Sequence, residues 1–156
     1  MAKRSSPAAT PFVRFLFLLY CGVMLWLLFG RSSGWTENLS YWEKVQQNMN
    51  VTPLLTIRNY IHVVLYSSNA SLVRHCFINL AGNILLFIPA GWLLPRIWVR
   101  LRRFFPFFFT CAIAILLVEL FQLFTLLGSF DVDDLILNLF GMILGYLFYM
   151  IIHRKK

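Results

Sequence analysis

Four long apolar runs constrain this chain more than any other feature of its sequence. They cover about residues 12–29, 77–94, 104–127 and 135–152. At a helical rise of about 1.5 Å per residue, each run is long enough to cross a hydrocarbon core of about 30 Å. Hydrophobic residues make up 60% of the 156 positions, which is more than a soluble domain of this length can bury. The sequence therefore predicts an all-α integral membrane protein with four transmembrane helices, in a single domain over residues 1–156.

A long polar connection separates the first two runs and contains one shorter helical pattern. In PLLTIRNYIHVVLYSS (53–68), the apolar side chains at positions 57, 61, 64 and 65 share one face of a helix. The segment is short for a membrane span, and it carries Arg58 and His62. We therefore expect an extracytoplasmic interfacial or re-entrant helix.

The distribution of lysine and arginine predicts the orientation, because cytoplasmic segments carry an excess of these residues. Ten of them belong to the N-terminal segment, the 95–103 loop and the C-terminal tail: Lys3, Arg4, Arg14, Arg96, Arg100, Arg102, Arg103, Arg154, Lys155 and Lys156. The last loop has none. Both termini are therefore predicted to be cytoplasmic. We interpret the net charge of +8 as membrane topology and expect no nucleic-acid partner, because the bases stand in short clusters beside apolar runs.

Polar side chains within or just before three of the runs fall at one depth when this topology is applied. They are Asn79, Asn83, Glu119, Gln122, Asp131, Asp133, Asp134 and Asn138. Helical spacing puts Asn79 and Asn83 on one face, and Glu119 and Gln122 on another. Carboxylates in the apolar part of a membrane are costly unless paired or hydrated, so they usually mark a ligand site, a relay or a pathway. We therefore expect these eight residues to form a ligand-binding site in the outer leaflet.

Each of these residues also has a structural interpretation. One aspartate is enough to cap the N-terminus of the fourth helix, and buried amides are typical of hydrogen bonds between transmembrane helices. Gly141-x-x-x-Gly145 is more typical here of a close helix contact within the bundle than of a dimer. A third interpretation is a divalent-cation site, because carboxylates are hard oxygen ligands suited to Mg²⁺ or Ca²⁺. Its candidate ligands are Asp131, Asp133 and Asp134.

Three motifs, in order along the chain, resemble the VanZ-like family of small bacterial membrane proteins. They are GNILLFIPAGWLLP (82–95), E-x-x-Q (119–122) and GSFDVDDLILNLFGMILGY (128–146), and NVTPLLTIRNYI (50–61) is a looser similarity. The family's polar positions fall on all eight residues of the expected site. The resemblance implies a bacterial cytoplasmic-membrane protein that contributes to teicoplanin resistance. An arginine that is common before the aspartates in other members is Ser129 here, so the resemblance supplies no cation at this position.

Three functions remain open from the sequence. The first is binding or shielding of an envelope lipid, a wall precursor or a lipoglycopeptide at the outer-leaflet site. The second is an enzyme that modifies an envelope lipid or a polyprenyl phosphate, with Glu119 as the candidate catalytic acid or base. The third is a small proton-coupled transporter, for which four helices would require an oligomer. We prefer binding, because no clear nucleophile and few cations for a phosphate are present.

Overall fold

The computed structural model describes residues 10–30 and 39–153. Within these ranges the chain forms six α-helices, a 3₁₀ turn and a pair of short strands. The elements are α1 (Pro11–Phe29), α2 (Tyr41–Gln47), β1 (Met49–Asn50), α3 (Leu55–Tyr66), α4 (Ala70–Ile97), the 3₁₀ turn (Val99–Arg102), α5 (Phe104–Thr125), β2 (Phe130–Asp131) and α6 (Val132–His153). Five bases used to predict the orientation lie outside the described residues: Lys3, Arg4, Arg154, Lys155 and Lys156.

Four helices, α1, α4, α5 and α6, are long and apolar enough to cross a membrane. Each contains or overlaps one of the predicted runs, so the predicted all-α membrane fold with four transmembrane helices is confirmed. The main difference is that α4 begins at Ala70, well before residue 77. The Asn69 side chain caps this extension by accepting hydrogen bonds from the backbone N–H groups of Ser71 and Leu72. Asn79 and Asn83 consequently lie inside α4 and not in its first two turns.

Helices α4 and α6 form the centre of the bundle, with α1 packed on α4 and α5 packed on α6. Glycines let the two central backbones meet. A Cβ atom at Gly91 would overlap the carbonyl oxygen of Met142, and one at Gly141 or Gly145 would overlap a carbonyl oxygen of α4. The predicted close helix contact at Gly141 and Gly145 is therefore confirmed within the bundle.

Aromatic and aliphatic side chains fill the space between these helices. The Phe107 ring, which is fully buried, stacks on the Tyr146 ring at a centroid distance of 4.5 Å. The Tyr146 hydroxyl donates a hydrogen bond to the carbonyl oxygen of Arg102 at 2.8 Å, which satisfies its polar end. Other large apolar side chains, such as those of Leu85 and Phe105, are exposed on the outer faces of the bundle. Such a surface is suited to contact with lipid chains.

The connection between α1 and α4 folds back onto the start of α6. β1 pairs in parallel with β2, with Asn50 opposite Asp131. The next helix, α3, packs against α4 and α6 but buries none of its own residues. With 12 residues it is too short to cross a membrane. The short helix predicted within 53–68 is therefore present, whereas the pairing of β1 with β2 was not predicted.

Candidate ligand-binding site

A polar cavity of about 440 Å³ lies among the C-terminal ends of α1 and α5 and the N-terminal halves of α4 and α6. Its polar lining residues are Asn48, Asn79, Asn83, Glu119, Gln122, Ser129, Asp134 and Asn138. Six of the eight residues expected from the sequence are among them. The wall thus carries two carboxylates and five amides, and none of its described residues is Lys, Arg or His.

Glu119 and Asn138 line this cavity, and each has a buried acceptor atom. Their side chains are only 4% and 3% exposed. Within the described part of the chain, Glu119 Oε2 and Asn138 Oδ1 have no hydrogen-bond partner. Buried polar atoms are nearly always paired, because an unpaired one costs about 1–3 kcal/mol. A hydrogen-bond donor that reached either atom would remove this cost.

Two side-chain hydrogen bonds join neighbouring helices at the cavity wall. The Asn83 amide donates to Oδ1 of Asp134, which connects α4 to α6. The Gln122 amide donates to the carbonyl oxygen of Leu28 at 2.9 Å, which connects α5 to α1. Asn83 and Gln122 therefore have the helix-connecting role that is common for buried amides in membranes, and they line the cavity as well.

The Asn79 side chain lies towards the start of α4, where it meets two aromatic side chains. Its amide nitrogen lies 3.4 Å from the His75 ring nitrogens. The Tyr60 ring of α3 packs edge-on against the His75 ring, with centroids 6.4 Å apart. Burial raises the pKa of the Tyr60 phenol, and the nearby Asp134 carboxylate adds to this effect. Asn79 therefore connects the cavity wall to the His75 ring, against which the Tyr60 ring of α3 packs.

Asp133 is fully buried, but its partners lie at the start of α3 and not in the cavity. Oδ1 accepts a hydrogen bond from the backbone N–H of Leu54, and Oδ2 accepts one from Ile57 at 3.0 Å. The first N–H groups of a helix have no partner within that helix, so Asp133 caps α3 from its position on α6. Leu54 has a left-handed backbone with φ of 64°, a conformation that costs about 1 kcal/mol and is held here by the carboxylate.

The Asp131 carboxylate is also occupied by protein donors. It accepts hydrogen bonds from the Thr56 hydroxyl at 2.6 Å, from the Asn50 amide at 3.3 Å and from the Asp133 backbone N–H at 2.9 Å. The last bond has the form of an N-cap on α6, so the capping interpretation is confirmed for this aspartate. Asp131 therefore links the connection to the start of α6.

Only Asp134, of the three candidate metal ligands, lines the cavity. Across residues 10–30 and 39–153, no group of three or more His, Cys, Asp or Glu side chains is placed to hold a metal ion. The described residues therefore give no support to the divalent-cation interpretation of the three aspartates.

Four residues in or beside the site were not predicted. Asn48 and Ser129 line the cavity, and Asn50 and Thr56 hold the Asp131 carboxylate. Asn48 also donates to a backbone carbonyl of the turn before α6 at 3.1 Å. Asn50 and Thr56 lie in the NVTPLLTIRNYI segment, whose similarity to the family was the one signal that pointed to them. Asn48 and Ser129 stand outside the helices, where periodicity gives no signal.

One comparison with known proteins is informative. The family model described as VanZ/LLP1 matches residues 17–153, a range that includes every residue of the cavity wall. No curated protein and no solved structure is similar enough to the chain to count as a match. Since the family match covers nearly the whole chain, this multi-pass membrane protein belongs to the VanZ/LLP1 family.

Proposed function

We propose that this protein binds an amphipathic ligand of the cell envelope in the polar cavity and thereby contributes to tolerance of teicoplanin-type glycopeptides. The observation that carries the proposal is a pair of buried acceptors, Glu119 Oε2 and Asn138 Oδ1, which have no hydrogen-bond partner among residues 10–30 and 39–153. They come from two different helices and line one cavity. A headgroup that donates hydrogen bonds would satisfy both atoms at once.

The predicted orientation supports a role at the envelope. If the basic loop around Arg100 is cytoplasmic, the cavity lies in the outer leaflet, the half of the membrane that wall precursors and acylated antibiotics reach. Binding the acyl chain of the antibiotic, or another amphipathic molecule of that leaflet, would change how much antibiotic meets its target. Membership of the VanZ/LLP1 family also supports a role at the envelope.

A membrane enzyme is the second candidate, and Glu119 favours it. A buried carboxylate is suited to exchange a proton with a bound substrate, and one oxygen of Glu119 has no partner in the part of the chain that the structure describes. A polyprenyl phosphate fits this cavity poorly, because no described lining residue is a cation that would hold the phosphate. The transporter hypothesis depends on the same carboxylate and gains no separate support.

Teicoplanin tolerance of cells that express the full-length chain tests the proposal. We expect Glu119→Gln and Asp134→Asn each to abolish the added tolerance, because each removes a cavity carboxylate while keeping the side-chain shape. Glu43→Gln is the matched control: Glu43 is exposed on α2, and glutamine also supports the capping box with Ser40. Unchanged tolerance in both cavity variants, at wild-type membrane levels, would refute the proposal.

Extraction of the envelope lipids from the same strains separates binding from catalysis. Binding alone predicts that the lipids and wall precursors have the same chemical structures with and without the protein. A new lipid or precursor species that appears with the wild-type chain and is absent with Glu119→Gln would replace the binding proposal with the enzyme.

A further inference from the structure

A second cavity, of about 310 Å³ and lined almost wholly by apolar side chains, lies next to the polar one. The same four helices form it, and Leu28 lines both cavities. On α5, Glu119 lines the polar cavity, and Ile115, one turn earlier in the chain, lines the apolar cavity. On α6, Asn138 lines the polar cavity, and Met142, one turn later in the chain, lines the apolar cavity. The two cavities therefore succeed each other along the axis of the bundle.

We propose that the two cavities are one site for a single-chain amphiphile with a cationic headgroup, whose ammonium occupies the polar cavity and whose hydrocarbon chain occupies the apolar one. The proposal rests on the proposed function and assigns the chemical class of its ligand. The apolar cavity is at the small end of ligand pockets, which measure about 300–1,000 Å³, so it suits one chain better than two.

The charges of the wall determine the expected headgroup. Glu119 and Asp134 are two acidic groups in one cavity at membrane depth, and no described lining residue is basic. A carboxylate in this environment is stabilised by an opposite charge that also donates hydrogen bonds. An ammonium group supplies that charge together with N–H donors for Glu119 Oε2 and Asn138 Oδ1, which lack partners among the described residues. A phosphate or sulfate headgroup would instead add a further negative charge.

The sequence of polar and apolar walls determines where the chain of the ligand would lie. Eight polar residues line the first cavity, whereas aliphatic and aromatic side chains line almost all of the second. The hydrocarbon chain of the ligand gains free energy in the apolar cavity, because the burial of each methylene group there removes it from water. The change between the two environments occurs at Leu28, so the headgroup and chain should meet there.

The test uses the full-length protein in phosphatidylcholine nanodiscs, with bound probe counted by native mass spectrometry and empty nanodiscs subtracted. The probes are dodecylammonium, dodecyl sulfate, which has the same chain, and butylammonium, which has the same headgroup. We expect saturable binding of dodecylammonium that is about tenfold tighter or more than that of either comparator, because charge-assisted hydrogen bonds and chain burial act together.

Two variants separate the headgroup contacts from the chain contacts. Glu119→Gln should weaken dodecylammonium binding about tenfold, the effect of losing one charge-assisted hydrogen bond. Ala114→Phe puts a larger side chain in the wall of the apolar cavity and should weaken dodecylammonium binding about tenfold, because the alkyl chain loses room, while butylammonium binding stays unchanged. Ile113→Phe is the matched control, since Ile113 is exposed on the outer face of α5 and lines neither cavity.

Equal binding of dodecyl sulfate and dodecylammonium would overturn the proposal, as would undiminished dodecylammonium binding in Ala114→Phe. The ligand comparison uses the wild-type chain, so it decides the question even if a variant fails to fold. Either negative result can occur while Glu119→Gln still abolishes teicoplanin tolerance. In that case the proposed function stands and only the ligand class assigned here is wrong.

Discussion

At the scale of single residues, the three aspartates of one turn have different partners. Asp131 and Asp133 hold the connection between α1 and α4, whereas Asp134 lines the cavity beside Asn83. Their spacing alone predicted a cluster but could not separate these roles. The donors to Asp133 come from residues 79 and 76 positions earlier, so only the folded chain brings them together.

Asp133→Ala should destabilise the docking of α3. The variant leaves the N–H groups of Leu54 and Ile57 without their acceptor, at about 1–3 kcal/mol for each group that stays buried. Arg58 follows Ile57 in α3 and is exposed, so trypsin should then cleave the peptide bond after Arg58 faster. Limited proteolysis with mass identification of the fragments measures this change.

Two further variants complete that experiment. Asp133→Asn keeps one acceptor oxygen and should give an intermediate rate of cleavage at Arg58. Asn59→Ala, at an exposed position of the same helix, should be cleaved by trypsin at the wild-type rate. If Asp133→Ala is as resistant to trypsin as the wild-type protein, Asp133 does not hold α3.

At the scale of elements, contact between α4 and α6 depends on glycine. Gly141→Ala and Gly145→Ala should each lower the free energy of unfolding by about 1–3 kcal/mol, because the added methyl group overlaps a backbone carbonyl of α4. Gly22→Ala on α1 is the control, since a Cβ atom there meets nothing within 4 Å. Thermal unfolding in detergent compares the three variants, and equal stability of all three would contradict the close contact.

Elements with a strong local pattern were predictable and the others were not. Each long helix has an apolar run, and α3 has an apolar stripe at helical spacing, so the sequence predicts the long helices and α3. The start of α4 was placed too late because Ala70–Cys76 is not uniformly apolar, although Asn69 is a good N-cap. β1 and β2 have two residues each, which is too short for an alternating pattern, and their pairing depends on the folded connection.

At the scale of the whole molecule, the polar cavity and the basic loop lie at opposite ends of the bundle. The cavity lies at the end where α6 begins, and the arginines of the loop between α4 and α5 lie at the opposite end. The sequence predicted the polar layer because burial of charge in an apolar run is conspicuous. It could not predict the apolar cavity, because the residues of that wall have the same composition as any membrane core.

The orientation of the chain is testable with Ser129→Cys, since Ser129 is exposed in the turn before α6. If lysine and arginine mark the cytoplasmic side, a membrane-impermeant thiol reagent should label this cysteine in intact cells. The unsubstituted chain is the control for background, because Cys76 and Cys111 are buried and Cys21 is half-buried. Labelling that appears only after lysis would reverse the topology and place the cavity in the inner leaflet.

The most direct test of the central claim is to identify the small molecules that purify with the protein. Mass spectrometry of extracts from the wild-type chain, Glu119→Gln and the control Glu43→Gln would be compared at equal protein amount. If the cavity binds a ligand through Glu119, one amphiphile is enriched with the wild-type and Glu43→Gln proteins and depleted with Glu119→Gln. The same molecules in the same amounts from all three proteins would contradict a ligand site at Glu119.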